Sequence, residues 1–317
     1  MINYSRTQKF VHDLFLRYRF IKKTLFDIEY QLFKDELIDS RNTQNIFVGG
    51  LPRAGTTAFL NYIYNSDSFA SLTYSVMPYA MAPNFSKKII HNSNNVKSER
   101  AHGDNIFIDQ NSPEALDEIF LSTYGDSEIK TIYPKYISLV MRSQSKNRYL
   151  SKNNNNHRRL EYLTAVFKNS KFILLIRDPL NHANSLLNQH INFNKIQTSN
   201  RFALRYMDYL GHHEFGLHHK SWFTPDLYDN FLDFNYWLEQ WIMYYQFVKR
   251  KLVDIENVLI ISYESLSSEF FVNNLCKALN IYRSNYKFEN NNKLLEIEYD
   301  KNLYQKAQKL YSELLLK

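Results

Sequence analysis

Residues 45–61 read NIFVGGLPRAGTTAFLN, and the rest of the chain can be placed relative to them. The apolar residues 46–48 predict a short buried strand, which the two following glycines bring to an end. Gly55 allows the backbone to approach a ligand closely, and Thr56 and Thr57 are typical of a helix start. The first N–H groups of such a helix have no partner within it and lie at the positive end of its dipole. The stretch therefore predicts a strand, a phosphate loop and a helix, with an anion site where they meet.

The loop follows a nucleotide-binding pattern but departs from it at one position. The spacing Gly50-x4-Gly55-Thr56-Thr57 is close to G-x-x-x-x-G-K-[ST], with Thr56 in place of the lysine that contacts the β- and γ-phosphates of a nucleoside triphosphate. Arg53 lies inside the loop instead. We therefore expect a ligand whose 5′-phosphate carries a different group, with a strand–turn–helix that binds nothing as the alternative for the loop alone.

The segment PRAGTT, residues 52–57, resembles the 5′-phosphosulfate-binding loop of sulfotransferases, which use 3′-phosphoadenosine 5′-phosphosulfate (PAPS). The resemblance implies that the 5′-phosphosulfate is bound by Arg53, Ala54, Gly55, Thr56 and Thr57. It extends over about residues 45–280, but the glycine-rich closing motif of cytosolic sulfotransferases is missing. The adenine and 3′-phosphate contacts made by that motif are therefore not expected here.

A second stretch, residues 171–190, has the sequence KFILLIRDPLNHANSLLNQH. Its apolar run predicts a buried parallel strand with Arg177 at the carboxyl end, where open α/β sheets bind ligands. Asp178 and Pro179 then predict the start of a helix that carries Ser185. The spacing of Arg177 and Ser185 is similar to that of the 3′-phosphate site of sulfotransferases, and a guanidinium pairs with phosphate through two hydrogen bonds. The resemblance therefore implies that both ends of PAPS have binding residues.

Lys152 is the predicted catalytic cation. The asparagine-rich run at residues 153–156 predicts a turn that includes Lys152, followed by a helix from about residue 157. In several sulfotransferase groups a lysine at the corresponding place stabilises the sulfuryl group as charge develops. The resemblance implies the same electrostatic role for Lys152.

The proton acceptor is less well defined by the sequence. The blocks SLTY at 71–74, ERAHGD at 99–104 and SPEAL at 112–116 resemble a bacterial branch of the family, in which such segments line the acceptor side of the cleft. That branch leads us to expect an acidic residue before the Met-Pro pair, where this chain has Val76. His102 is then the first candidate base, because a neutral imidazole suits proton abstraction near neutral pH, and Glu114 is the second. Asp104 is also considered.

Two of these residues have alternative explanations. Ser112 and Pro113 predict the N-cap and first position of a helix within residues 111–120, and Glu114 would favour the positive end of its dipole. His102 could equally be a hydrogen-bonded loop residue beside Gly103.

Composition limits the class of protein. The net charge of +7 over 317 residues favours anionic ligands, and because the positive charge is scattered we expect no nucleic acid partner. Cys276 is the only cysteine, so neither a disulfide framework nor a cysteine metal site is expected, which agrees with a cytoplasmic location. Charges interrupt the first twenty residues and the apolar runs are short, so we expect no secretory signal and no transmembrane segment.

Three segments flank or interrupt this framework. Residues 7–39 predict a helix with one apolar and one basic face, which could pack on the core or contact a membrane surface. Residues 200–240 are rich in aromatics and histidine and are predicted to cover the acceptor cleft. Their histidines and Glu214 could suggest zinc, but HExxH spacing is missing and we expect no metal. Residues 235–251, 257–262 and 293–317 predict a helix, a buried strand and a C-terminal helix.

We therefore predict one domain over residues 1–317, with residues 1–40 as an N-terminal helical segment. The fold class is α/β, with three layers, a mainly parallel central sheet and helices on both faces. The predicted reaction is sulfuryl transfer from PAPS to a hydroxyl of a carbohydrate or glycolipid, leaving adenosine 3′,5′-bisphosphate. The alternatives are a P-loop nucleotide kinase or NTPase, and a catalytically inactive glycan-binding relative.

Overall fold

The computed structural model describes residues 5–89, 98–99, 107–223, 230–255, 257–288 and 297–316. The strands are β1 (Ile46–Gly50), β2 (Ser98–Glu99), β3 (Phe107–Ile108), β4 (Leu150–Lys152), β5 (Lys171–Ile176) and β6 (Val258–Ser262). The α-helices are α1 (Arg6–Arg17), α2 (Arg19–Phe33), α3 (Thr56–Tyr64), α4 (Pro83–Ile89), α5 (Asp117–Leu121), α6 (Asp126–Ser143), α7 (Leu160–Val166), α8 (Pro179–Ser199), α9 (Arg201–Tyr209), α10 (Phe234–Lys251), α11 (Glu269–Leu279) and α12 (Lys301–Leu315).

The central sheet has four parallel strands in the order β4-β1-β5-β6. Because β1 comes first in the chain but lies between β4 and β5, the strand order reverses beside it, which is where open α/β sheets form a ligand crevice. Val48 is paired with Lys152 and Gly50 with Leu175, so the carboxyl ends of three strands meet at one edge. The predicted parallel sheet is confirmed.

Helices cover both faces of the sheet. Alternate residues of β5 point to opposite faces, so Ile173 packs with α3 and α11 while Leu174 packs with α8, α10 and α12. A third apolar cluster joins the edge of the sheet to α2, α5 and α6. The three-layer α/β class predicted from the sequence is therefore confirmed, and its burial on both faces explains the continuous apolar runs of the strands.

The N-terminal segment is two helices rather than one. Tyr18 has an extended conformation (φ −93°, ψ 116°) that ends α1 and precedes α2. The basic face is also less solvated than its periodicity suggests. Lys22 is buried, Lys23 lies 2.7 Å from a carboxylate oxygen of Glu128, and Arg19 donates to the carbonyl of Thr123 at 2.7 Å. Part of the predicted basic face thus attaches α2 to α6 and to the turn after α5, while Arg17, Arg19 and Lys34 remain exposed.

Two local predictions between residues 69 and 121 were wrong. Residues 69–85 form no described strand, but contain single-residue bridges at Ala70 and Thr73, a 3-10 turn and the start of α4. The predicted helix start at Ser112 is also wrong, because α5 begins five positions later, at Asp117. Ser112 exchanges hydrogen bonds with Asp109, and Pro113 is bridged to Thr73. Long-range pairing across these segments therefore replaces the local helix signal.

Within the described residues, no helix combines the length and the apolar character needed to span a bilayer.

Candidate active site

The phosphate loop folds as the sequence predicts. β1 ends at Gly50, and α3 begins at Thr56 with Gly55 as its N-cap in the left-handed region (φ 90°). Arg53 is also left-handed, with φ 72°, which is uncommon for a residue with a side chain. This backbone turns the start of α3 toward the carboxyl edge of the sheet, where its N–H groups can receive an anion.

The two predicted phosphate-binding segments are brought together. Arg53 Nε donates to Ser185 Oγ at 3.1 Å, and Arg177 Nη1 lies 3.5 Å from the carbonyl oxygen of Arg53. Asp178 caps α8 by accepting from the N–H of Asn181, so Arg177 stands between the end of β5 and the start of that helix. Arg177 Nε is buried and has no hydrogen-bond acceptor among the described residues. Two guanidinium groups and a hydroxyl therefore converge at one edge, as a phosphate site requires.

His182 helps to hold the loop in position through a hydrogen bond to Pro52. Its Nε2 donates to the carbonyl of Pro52 at 2.8 Å, and its side chain is fully buried. Burial lowers the pKa of His182 to about 3, and the nearby cations Arg177 and Arg53 act in the same direction. The imidazole is therefore neutral at physiological pH and acts as a hydrogen-bond donor that positions the loop.

Lys152 is the last residue of β4 and not part of a turn, so its predicted setting was wrong. Its side chain is only 7% exposed, and its Nζ lies 3.9 Å from Oε1 of Glu114. The following residue, Asn153, donates from its backbone N–H to the carbonyl of Val48. Strand pairing therefore fixes Lys152 beside β1, at the same edge as the phosphate loop.

Glu114 lies between the bridge at Pro113 and the start of α5, not in a helix. Its N–H donates to the carbonyl of Leu72, and its carboxylate accepts from the Tyr74 hydroxyl at 2.7 Å and from the N–H of Ala115 at 2.8 Å. The predicted explanation of Glu114 through a helix dipole is therefore wrong. Its carboxylate instead faces Lys152, so two of the predicted catalytic residues are adjacent.

Two residues at this site were not assigned by the sequence. His212 and Glu214 lie after α9, with His212 Nδ1 3.3 Å from Glu214 Oε2, and His212 interacts electrostatically with Lys152 and Glu114. The sequence showed the pair only as part of a histidine-rich run. His212 is sixty positions after Lys152 in the sequence, so only tertiary packing brings the two residues near each other. No local sequence pattern could predict this.

The remaining sequence predictions for this site concern the base candidates His102 and Asp104 and a possible metal site. His102 and Asp104 lie outside the described residues, so the role of His102 stays a prediction. Within the ranges that the structure describes, no group of three or more His, Cys, Asp or Glu side chains is arranged to hold a metal ion.

Phe215 and Trp222 are buried around Trp237, so these aromatics of the insertion stabilise the core rather than forming an exposed surface.

Gly55 provides a direct test of loop geometry. A methyl group at this position would overlap the ring of Tyr263, and the left-handed backbone would be strained as well. We expect Gly55→Ala to lower the free energy of unfolding by about 1–3 kcal/mol, measured by denaturant titration. The cost should fall in a Tyr263→Ala background, since the overlap is then removed.

Gly125→Ala is the matched control for that substitution. A methyl group there meets only Glu128 Oε2 at 3.7 Å, an ordinary contact. A loss at Gly55 equal to the loss at Gly125, or unchanged by Tyr263→Ala, would contradict the proposed loop packing.

Comparison with known proteins gives the family of the sequence and solved structures with a similar fold. The sequence matches the sulfotransferase family over residues 45–282. The fold is similar to that of sulfotransferase STF1 from Mycobacterium tuberculosis H37Rv, with 12% identity, a TM-score of 0.52, and coverage of 86% of this chain and 77% of that one. A sulfotransferase from Alicyclobacillus acidocaldarius also matches, with 13% identity, a TM-score of 0.42, and coverage of 86% and 94%. No curated protein matches the sequence significantly.

The chain thus has a three-layer α/β fold with a P-loop-like turn between β1 and α3. Because the family match covers most of the chain, the chain belongs to the sulfotransferase family, and the protein is a sulfotransferase.

Proposed function

We propose that this sulfotransferase transfers a sulfuryl group from PAPS to a hydroxyl of a carbohydrate or glycolipid. The observation that carries the donor is the convergence of Arg53, Arg177 and Ser185 at the edge where β1 and β5 end. The buried Nε of Arg177, without an acceptor among the described residues, fits an anionic phosphate oxygen. The absence of a loop lysine, with Thr56 in its place, fits a 5′-phosphosulfate better than a triphosphate.

Each binding group has a proposed role. The loop residues Arg53, Ala54, Gly55, Thr56 and Thr57 bind the 5′-phosphosulfate at the start of α3. Arg177 and Ser185 bind the 3′-phosphate. Lys152, at the end of β4, stabilises the negative charge that develops on the bridging oxygen when the S–O bond breaks. In-line positioning and charge stabilisation then account for most of the catalysis, and the proposed mechanism includes no metal ion.

The proposal for the acceptor rests on the groups around Lys152. Tyr74, Glu114, His212 and Glu214 give this side of the site hydroxyl, carboxylate and imidazole groups that suit the hydroxyls of a saccharide. Glu114 accepts hydrogen bonds on both oxygens and faces Lys152, so we propose that it positions this lysine. As candidates for the proton acceptor, Glu114 and His102 are retained from the sequence.

The place of action is also a proposal. A single buried cysteine, Cys276, is compatible with a reducing cytoplasm. Peripheral contact with a membrane carrying a lipid-linked saccharide would use α1 and the start of α2, where Phe10, Arg17 and Phe20 are exposed.

Calorimetric titration with adenosine 3′,5′-bisphosphate tests the donor site, with ATP–Mg²⁺ as the comparison. We expect micromolar binding of the bisphosphate. At a free ligand concentration of a hundred times Kd, the free energy of unfolding should rise by about 2.7 kcal/mol. Stabilisation by ATP–Mg²⁺ alone would favour the kinase or NTPase alternative. Binding of a glycan without any transfer of sulfate from PAPS would favour the inactive relative.

A further inference from the structure

We infer that His212, held by Glu214, takes the proton from the acceptor hydroxyl during sulfuryl transfer. The inference rests on the proposed function, and it adds a catalytic residue from the segment after α9.

The pair has the geometry of an oriented base. Nδ1 of His212 lies 3.3 Å from Glu214 Oε2 and 3.5 Å from Oε1, so in the neutral imidazole Nδ1–H donates to the carboxylate. Nε2 then carries the lone pair, and no described residue is hydrogen-bonded to it. The His212 side chain is 24% exposed and that of Glu214 only 10%, so the carboxylate is shielded while the imidazole is partly accessible. This is the arrangement by which a carboxylate fixes the tautomer of a catalytic histidine.

The backbone places the pair at the site. The N–H of His212 donates to the carbonyl of Met207, which ties this turn to α9. A methyl group on Gly211 would lie 2.9 Å from Cγ of Glu118. Glu118 in turn accepts from the side chain of Asn153, the residue after Lys152. The turn that carries His212 is therefore linked through Glu118 to the segment that carries Lys152.

The charges that face His212 are those of Glu214, Lys152 and Glu114. Burial and the Lys152 ammonium lower the pKa of His212, but Glu214, with support from Glu114, outweighs them, so the pKa is raised above its ordinary value. Glu214 is a stronger acid for the same reason: burial opposes ionisation, and the imidazolium of His212 overcomes it, so its pKa is well below the usual range. Glu214 therefore stabilises the imidazolium that forms when the base accepts a proton.

The proposed step is balanced. A lone pair of the acceptor oxygen forms the new O–S bond while the bond from sulfur to the bridging oxygen breaks. That electron pair stays on the 5′-phosphate oxygen, opposite Lys152. The hydroxyl proton moves to Nε2 of His212, and the imidazolium later releases it to water.

Cleavage of PAPS with water as the acceptor tests the role without a known acceptor. We expect His212→Gln to lower this rate about 10²-fold or more, with unchanged affinity for adenosine 3′,5′-bisphosphate. His213→Gln is the matched control, since His213 is 35% exposed and lies 3.6 Å from Asp208. This control should cleave PAPS at the wild-type rate.

The pH profile separates catalysis from structural support. Only neutral His212 accepts a proton, so the rate should rise with pH through the raised pKa of His212. Glu214→Gln removes the charge that raises this pKa, so the acidic limb should move to lower pH. An NMR titration of the His212 ring should show the same displacement of its midpoint.

The outcomes distinguish this inference from the proposed function. Wild-type protein that binds no adenosine 3′,5′-bisphosphate would contradict the donor proposal and the role of His212 with it. Wild-type cleavage of PAPS that persists in His212→Gln would overturn the role of His212 alone. An acidic limb that Glu214→Gln leaves in place, but Glu114→Gln removes, would assign the base to Glu114.

Discussion

Lys152→Met is expected to lower the rate of sulfuryl transfer about 10²- to 10³-fold, the usual cost of removing one preorganised group that stabilises transition-state charge. The ammonium is held at the end of β4 by strand pairing and by Glu114, and its side chain is only 7% exposed. In the proposed reaction, shielding from water would strengthen the effect of its charge on the bridging oxygen. The rate is measured by release of adenosine 3′,5′-bisphosphate from PAPS, with water as the acceptor.

The control for this substitution lies at the other end of the sheet. Lys171→Met makes the same change at the exposed first residue of β5, and transfer should keep its wild-type rate. Because the proposed role of Lys152 is to stabilise charge that develops in the transition state, kcat should fall while affinity for adenosine 3′,5′-bisphosphate changes little. Equal losses of kcat and of this affinity would instead make Lys152 a binding residue.

The sequence predicted the strand ends, the turn and the helix starts around Arg53 and Arg177 because their signals are local. The turn before α3 and the end of β5 each need particular residues within a few positions, as Gly55 and Arg177 illustrate. Parallel pairing then brings carboxyl ends of strands together whatever the intervening chain does. Arg53 and Ser185, 132 positions apart, are in contact for this reason.

The acceptor side could not be predicted as well, because its geometry depends on long-range pairing. Ser112 and Pro113 are a good helix start by local chemistry, but a bridge from Pro113 to Thr73 holds the segment extended. This bridge also turns Glu114 toward Lys152. An asparagine run after Lys152 likewise suggested a turn, although hydrogen bonding to β1 makes the lysine part of a strand.

Arg177→Ala is expected to weaken adenosine 3′,5′-bisphosphate binding about 10- to 150-fold, since hydrogen bonds to charged groups contribute about 1.5–3 kcal/mol. The guanidinium stands at the end of β5, packs 5.6 Å from the ring centre of Tyr263, and keeps a buried Nε without an acceptor among the described residues. Arg177→Lys should give an intermediate affinity, because it keeps the charge but loses the planar pair of donors. Calorimetric titration measures each Kd.

Adenosine 5′-monophosphate identifies which phosphate Arg177 binds, because it lacks only the 3′-phosphate. If Arg177 binds that group, Arg177→Ala should weaken the bisphosphate strongly and the monophosphate hardly at all, so the difference between the two ligands nearly disappears. Arg53→Ala should weaken the binding of both ligands, since Arg53 lies in the loop before α3. A similar weakening of both ligands by Arg177→Ala would assign Arg177 to the 5′-phosphate or to the support of the loop through the Arg53 carbonyl. The comparison therefore tests the assignment of the two phosphate sites separately from the affinity of the nucleotide.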